Sequence, residues 1–412
     1  MSLAEIHKKA KLVMIPSGFK SSSSTDNLYS VIPSNGDGDF NYAGTTNGTR
    51  VNKDGLIEIA SSNQPRLDYD SSNPQNPHLL LEPESTNLIQ HSEDFTNSTS
   101  WLVFAMTVTS DNITSPNGAL TSAKVEATGN GSIRTQPSFT VSNGYSFSIF
   151  VKKGNSRYVT LRSFAFTTSL IIGFDLDTVT AQTGGVIEPY PNDWYRLSIS
   201  KDVSSDADKN GFFYIYLPDS LGSASSVSGN FAYFFGAQLE DLTYTTSYIS
   251  TSGSATTRTV DTCNSAGNST IINTSEGVLF AEIAALANDS SLRDISVSNG
   301  STDRILLSYL NSSNRIAMQF IDGGASQFTL QFDGATITNF NKIAIKYKSS
   351  DYALWVNGSE RATNTSHTNA LAGLDRINFD RGDGGDDFFG KCKQLMYFDT
   401  ILTDAELITL TT

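Results

Sequence analysis

A chain of 412 residues with 38% hydrophobic and 17% charged residues is too long for one ordinary core and too apolar for charge-rich disorder. A formal net charge of −14, with Lys and Arg few and scattered, argues against nucleic acid as a partner, since phosphate binding needs clustered cations. No apolar run approaches the roughly 20 residues that span a bilayer, so no membrane insertion is expected.

Serine, threonine, asparagine and glycine fill the space that charge leaves. These residues weaken helix interiors and suit turns and the solvent faces of sheets. Aromatics at 10%, mostly Phe and Tyr, favour strands. Composition therefore predicts an all-β chain.

In chain order, Ser2 is placed to cap a short helix, with Glu5 at the capping-box position and Leu3, Ile6 and Ala10 on one face. The same opening residues have no uninterrupted apolar stretch ahead of a cleavage site, so no signal peptide is expected. From Pro16 to about Pro83, turn-rich pieces (SSSSTDN, SNGDGD, NKDG, SSNPQNP) separate short runs such as LYSVIP, GLIEIA and HLLLEP. This reads as an irregular collar that gains order by packing on a neighbouring chain, which points to a homo-oligomer.

From about Asn87 the texture turns to regular strands, among them YSFSIFVKKG, RYVTLRSFAF, WYRLSISKDV, GFFYIYLPD and NFAYFFGAQLE. Tyr145, Phe147, Ile149 and Val151 share one strand face; Ser146, Ser148 and Phe150 take the other. Many short antiparallel strands separated by turns describe a jelly roll or related sandwich. After a small-residue linker, STSGSATTRT, a second strand-rich module runs to the end, with Ile343, Ile345 and Tyr347 on one face. Thr403 then caps a short final helix, with Glu406 completing the box.

Chemistry-bearing residues are sparse. His7, His78, His91 and His367 lie in separate segments without ligand spacing. Cys263 and Cys392, near the ends of the last module, allow either one clasp or two reduced thiols. No G-x-S-x-G elbow or Walker-type loop occurs. Glu282, Glu360 and Glu406 are isolated, whereas a glycosidase of sandwich type sets paired carboxylates on one strand. No enzymatic activity is expected.

Trp355-Val356-Asn357-Gly358 and the run from Leu395 to Leu407 make residues 276–412 resemble a concanavalin A-like sandwich of the laminin-G/pentraxin type. The runs LVMIPSGFK, LYSVIPSNGDGDF, TRVNKDGLIEIA, PRLDY, LLLEPESTNLIQHSEDFTNSTSW and GAQLEDLTYTTSYISTSGSATTRTVD, from Leu12 through Asp261, are similar to tailed-bacteriophage structural proteins. There the middle domain resembles carbohydrate-binding-module jelly rolls of phage fibres. The resemblance implies a virion protein, a tail or head fibre, with trimers prevailing among such fibres.

Two kinds of binding residue are then expected. Sugar stacking needs aromatic faces, for which Trp101, Trp194, Trp355, Tyr190 and Tyr352 are candidates. Trp194 and Trp355 also read as core positions on alternating strands, while Tyr190, between Pro189 and Pro191, reads as an exposed loop residue. The acidic loop from Asp380 to Asp387 holds Asp380, Asp383, Asp386 and Asp387, oxygen ligands suited to Ca²⁺. Its aspartates equally suit a solvated turn.

The expected organisation is thus two tandem antiparallel β-sandwiches, a jelly roll and a concanavalin A-like domain, behind a short helix and collar. Residues 1–86 would dock to other virion proteins, 87–250 form the jelly roll, 251–275 a linker and 276–412 the second sandwich. The sandwiches would meet host surface glycans, or serve as a structural spacer between virion chains.

Overall fold

The pleat of a strand sends successive side chains to opposite sides, and in both sandwiches some strands, such as Gly144–Lys153 and Arg293–Ser298, are covered on both sides. The computed structural model describes residues 2–16, 27–44, 46–70, 73–136 and 138–412. The SSSSTDN turn lies outside them as far as Asp26, as do Ser71 and Ser72 of SSNPQNP.

The first sandwich is an 11-stranded sheet folded on itself. Strand Ala123–Thr135 belongs to both layers: its first residues pair with Phe231–Glu240, its last with Asn210–Tyr216. A bulge between Ala127 and Ser132 makes the bend. Gly131 sits there because a Cβ would stand 2.2 Å from the Phe104 carbonyl oxygen. One layer continues through Gly144–Lys153, Trp194–Asp202 and Gly185–Tyr190; the other through Tyr158–Phe164 and Ile171–Asp175. Tyr145, Phe147, Ile149 and Val151 point into the core between the layers, all fully buried. Phe150 points the opposite way and is buried too, among Trp194, Phe235 and Tyr248, because further chain covers that face.

The second sandwich packs an eight-stranded sheet on a five-stranded one. Leu279, Ile283, Ile345 and Tyr397 from the larger sheet meet Ile295, Leu307, Met318 and Phe320 from the smaller. On the outside of the larger sheet lie helices Leu3–His7 and Asp404–Thr411. Both carry the expected capping boxes, Ser2 with Glu5 and Thr403 with Glu406. Ile6 and Ala10 bury against Phe280, Trp355 and Phe398, while Leu3 stays 42% exposed. Lys9 pairs with Glu406 across the two helical segments.

The collar is where sequence and structure diverge in placement. Its short strands exist, but several belong to the second sandwich, while Thr49–Val51 pairs with Ile57–Ile59 in a separate hairpin whose Ile57 packs among Phe150 and Trp194 of the first. Leu12–Met14 and Asn73–Leu81 both pair with Gly390–Phe398, and Leu67–Asp70 extends the sheet further. Leu12, Met14, Leu79 and Leu81 complete the core of residues 276–412. The segment 251–275, expected as a linker, is tied as well: Thr256–Arg258 pairs with Ser85–Asn87 and Thr262–Asn264 with Phe40–Ala43. Leu12, Met14, Leu79 and Leu81 of the collar thus find their cover within this chain, while Ile59 stays 70% exposed.

Buried charge locks the assembly. Arg66 and Glu82 from the collar, Ser247 from the end of the jelly roll, and Arg258 and Asp261 from the linker form one network. Tyr42 adds its hydroxyl to Asp261 Oδ1 at 2.7 Å. Burial opposes ionisation of Glu82, but Arg258 and Arg66 outweigh it and hold the carboxyl at about 2.

Candidate functional site

Most of the aromatic residues expected to stack on sugar are core residues. Trp194 is 1% exposed, Tyr352 2% and Trp355 4%, so their ring faces are covered by protein. Trp101 is buried likewise against Phe95. Each lies on a strand whose flanking layer covers it: Trp194 donates Nε1–H to the Thr114 carbonyl at 3.2 Å, Tyr352 its hydroxyl to Asn369 at 2.7 Å, and Trp355 packs under the two helices. These four, Trp101 included, are removed from the candidate set.

Tyr190 differs in another way. It ends strand Gly185–Tyr190 rather than lying in a loop, pairs with Trp194 across the hairpin, and is half-buried. Its ring meets Phe150 edge-on at 5.0 Å. Burial raises its phenol, Glu188 adds to the rise and Arg196 opposes it. Tyr190 lines a cleft of about 150 Å³ between the collar and the two sandwiches.

Arginines take two of the acidic loop's carboxylates. Asp383 accepts from Arg304 Nη1 and from Arg381 Nε, each at 2.9 Å, and Asp386 accepts from Arg381 Nη1 at 2.9 Å. Asp380 is spent on Asn264 and on the Gly382 amide. Burial, with Asp380 and Asp386 nearby, pushes Asp387 up to about 6. Guanidinium groups within reach hold Asp383 and Asp386 in charge-assisted hydrogen bonds. Among the described residues no group of three His, Cys, Asp or Glu side chains is placed to hold a metal ion. Of the expected ligands, Asp383 and Asp386 are therefore turned to arginine instead of to a shared centre. Cys263 and Cys392 are both buried free thiols, so the clasp is not formed.

The surface that sequence reasoning missed lies on the outer face of the first sandwich. Register carries one row of residues straight across five strands: Leu102 opposite Arg134, Arg134 opposite Tyr214, Tyr214 opposite Arg162, and Arg162 opposite Ile171. Arg134 lies 4.3 Å from the Phe212 ring centre and Arg162 4.6 Å from that of Phe164. Both guanidinium groups also flank Tyr214, at 5.8 and 5.9 Å. Tyr214 stacks on Tyr216 with centroids 5.9 Å apart and planes 6° from parallel. Phe104 is 65% exposed, Ile171 44% and Phe164 41%.

Such a face has uncommon chemistry for an acidic protein. Aromatic rings offer flat apolar area with little conformational entropy to lose, and the arginines add fixed hydrogen-bond forks. Cation–π contacts hold the forks over the rings. A contiguous exposed apolar patch with arginines is what binding surfaces carry. The signal was present in sequence: in GFFYIY, Phe212, Tyr214 and Tyr216 alternate with core residues Phe213 and Ile215, leaving aromatics on both sides of one strand.

No protein-family model matches the chain, and no curated protein matches it. Among solved structures, the chain is similar to the CBM40 of the Ruminococcus gnavus IT-sialidase bound to alpha2,3 sialyllactose, at 18% identity over 36% of this chain and 94% of that one, with TM-score 0.31. It is similar to domain 4 of AbnA, an extracellular arabinanase from Geobacillus stearothermophilus in complex with arabinotriose, at 10% identity over 37% and 73%, TM-score 0.30. Domains LG4-5 of the mouse laminin alpha1 chain match at 9% identity over 76% and 89%, TM-score 0.25. At scores this low the likenesses leave the functional reading to the surface itself.

Proposed function

We propose that this protein is a fibre-type structural protein of a bacteriophage virion that binds host surface glycans through the outer face of its first sandwich. The row Leu102–Arg134–Tyr214–Arg162–Ile171 carries the reading. Sugar rings stack their C–H faces on aromatics while arginine forks take their oxygens, and this row supplies both on a rigid sheet. The virion context rests on the sequence resemblance of Leu12 through Asp261 to phage structural proteins, which also supports a homotrimer docked to other virion chains.

A structural spacer is the second reading, favoured by the way Leu12–Met14, Leu67–Asp70 and Asn73–Leu81 are built into the larger sheet of the second sandwich. Spacers need rigid joints, and the buried charge network supplies one. A glycan array probed with the full chain separates the two. Binding to bacterial surface polysaccharides supports the first reading. Silence on the array, with normal adsorption by virions lacking the protein, would establish the spacer.

A further inference from the structure

We infer that the cleft at the junction of the collar and the two sandwiches is a second binding site, separate from the arginine–aromatic row, that takes a single neutral hexose ring. Its ligand class rests on the reading of the protein as a glycan binder; its existence does not.

The cleft of about 150 Å³ is lined by Asp68 and Leu80 from the collar, Glu188, Tyr190 and Arg196 from the first sandwich, and Lys391 from the second. It is smaller than the roughly 300–1,000 Å³ that drug-sized ligands occupy, and suits one ring. No single segment makes it, so it exists only in the assembled chain.

Its chemistry is balanced. Asp68 and Glu188 supply acceptors; Arg196 and Lys391 supply donors of equal and opposite formal charge. The other charged groups of the wall are already matched: Arg50 donates Nε–H to Glu58 at 2.8 Å, and Glu82 faces Arg66 and Arg258. An ionic ligand would leave one sign in excess at a partly desolvated site, which is costly. A polyhydroxylated neutral ring gives each hydroxyl both roles and leaves nothing unbalanced.

The groups are held in place. Arg196, 4% exposed, is fixed by Nη1–H to the Thr246 carbonyl at 2.7 Å and by Nη2–H to Ser148 Oγ at 3.0 Å. Asp68 Oδ1 accepts from the Val51 amide at 2.7 Å, and His78 Nε2 stands 3.4 Å from Oδ2. Tyr190 is braced by Phe150. Rigid polar groups around an aromatic wall lose little entropy on binding.

The test titrates the full chain with free D-glucose, D-galactose and N-acetyl-D-glucosamine, read by saturation-transfer NMR and calorimetry. Saturable binding of at least one sugar is expected, weakened about tenfold by Glu188→Gln, which takes the charge from one hydrogen bond, or by Tyr190→Phe, which removes one hydroxyl. Glu188 is exposed, so its variant keeps the fold even where a change at Tyr190 disturbs packing. Failure of all three sugars to saturate, or affinity unchanged in both variants, overturns the site. The same preparation on the glycan array reads the row separately: array binding without monosaccharide saturation overturns the cleft and leaves the row standing.

Discussion

Arg66 donates Nη1–H to Glu82 Oε2 at 2.6 Å, with neither side chain more than 2% exposed. Glu82 also accepts from Arg258 and, at 2.6 Å, from the Ser247 hydroxyl, while Arg66 reaches Asp261. Segments far apart in sequence are thereby joined at one carboxylate. Glu82→Ala leaves two guanidinium groups buried with too little counter-charge, and breaking such a pair costs about 3–5 kcal/mol. Thermal melts should show a large drop, and limited proteolysis should open the 251–275 segment first.

Stability should also respond to pH through Asp294. Burial pushes its carboxyl up to about 7, with Asp386 adding to the rise and Ser308 opposing it. An unfolded aspartate titrates near ~3.9. The folded state therefore keeps a proton that the unfolded state has released. Its contribution is complete below ~4 and is lost as pH rises through about 7. Asp387, at about 6, acts in the same direction. Glu82 has the opposite sign: its contribution is present above ~4.3 and is lost only as pH falls through about 2. Between roughly pH 5 and 8 wild type should lose stability relative to Asp294→Asn, by on the order of 1–3 kcal/mol. Denaturant melts at several pH values check the slope.

The ion pairs of Asp383 and Asp386 with Arg304 and Arg381 predict a small effect of calcium. Millimolar Ca²⁺ should leave the melting temperature within about a degree, because a ligand that binds the folded state raises it by mass action. Arg381→Ala frees Asp386 and leaves Asp383 with Arg304 alone. If that variant gains a Ca²⁺-dependent rise that wild type lacks, the arginine is what blocks the loop.

Much of the fold could be read from period alone. The alternation of YSFSIFV sets Tyr145, Phe147, Ile149 and Val151 inward, and capping boxes mark Ser2 and Thr403. Packing partners were less legible. Short runs such as LVM and HLLL say that they bury, yet not that both sit beside Gly390–Phe398, hundreds of residues away. The runs that resemble phage proteins nevertheless contain Arg66 in PRLDY, Glu82 in LLLEPE, and Arg258 and Asp261 in TTRTVD, the members of the buried network. For the site, the core reading of Trp194 and Trp355 was legible in their alternating strands, since large indoles complete cores. Tyr190 lines a cleft, though from a strand end and not a loop. The row on the outer face depended on register between strands, which periodicity within one strand does not supply.

The central claim is that Tyr214 and its flanking arginines bind glycan. It is tested most directly by measuring full-chain binding to immobilised bacterial polysaccharides, with Tyr214→Ala, Arg134→Ala and Arg162→Ala compared to wild type. The expected result is a loss of about tenfold or more in each variant, at melting temperatures close to wild type, because half-exposed rings and forks on one patch dominate its affinity. Binding that persists at wild-type strength in all three folded variants would contradict it.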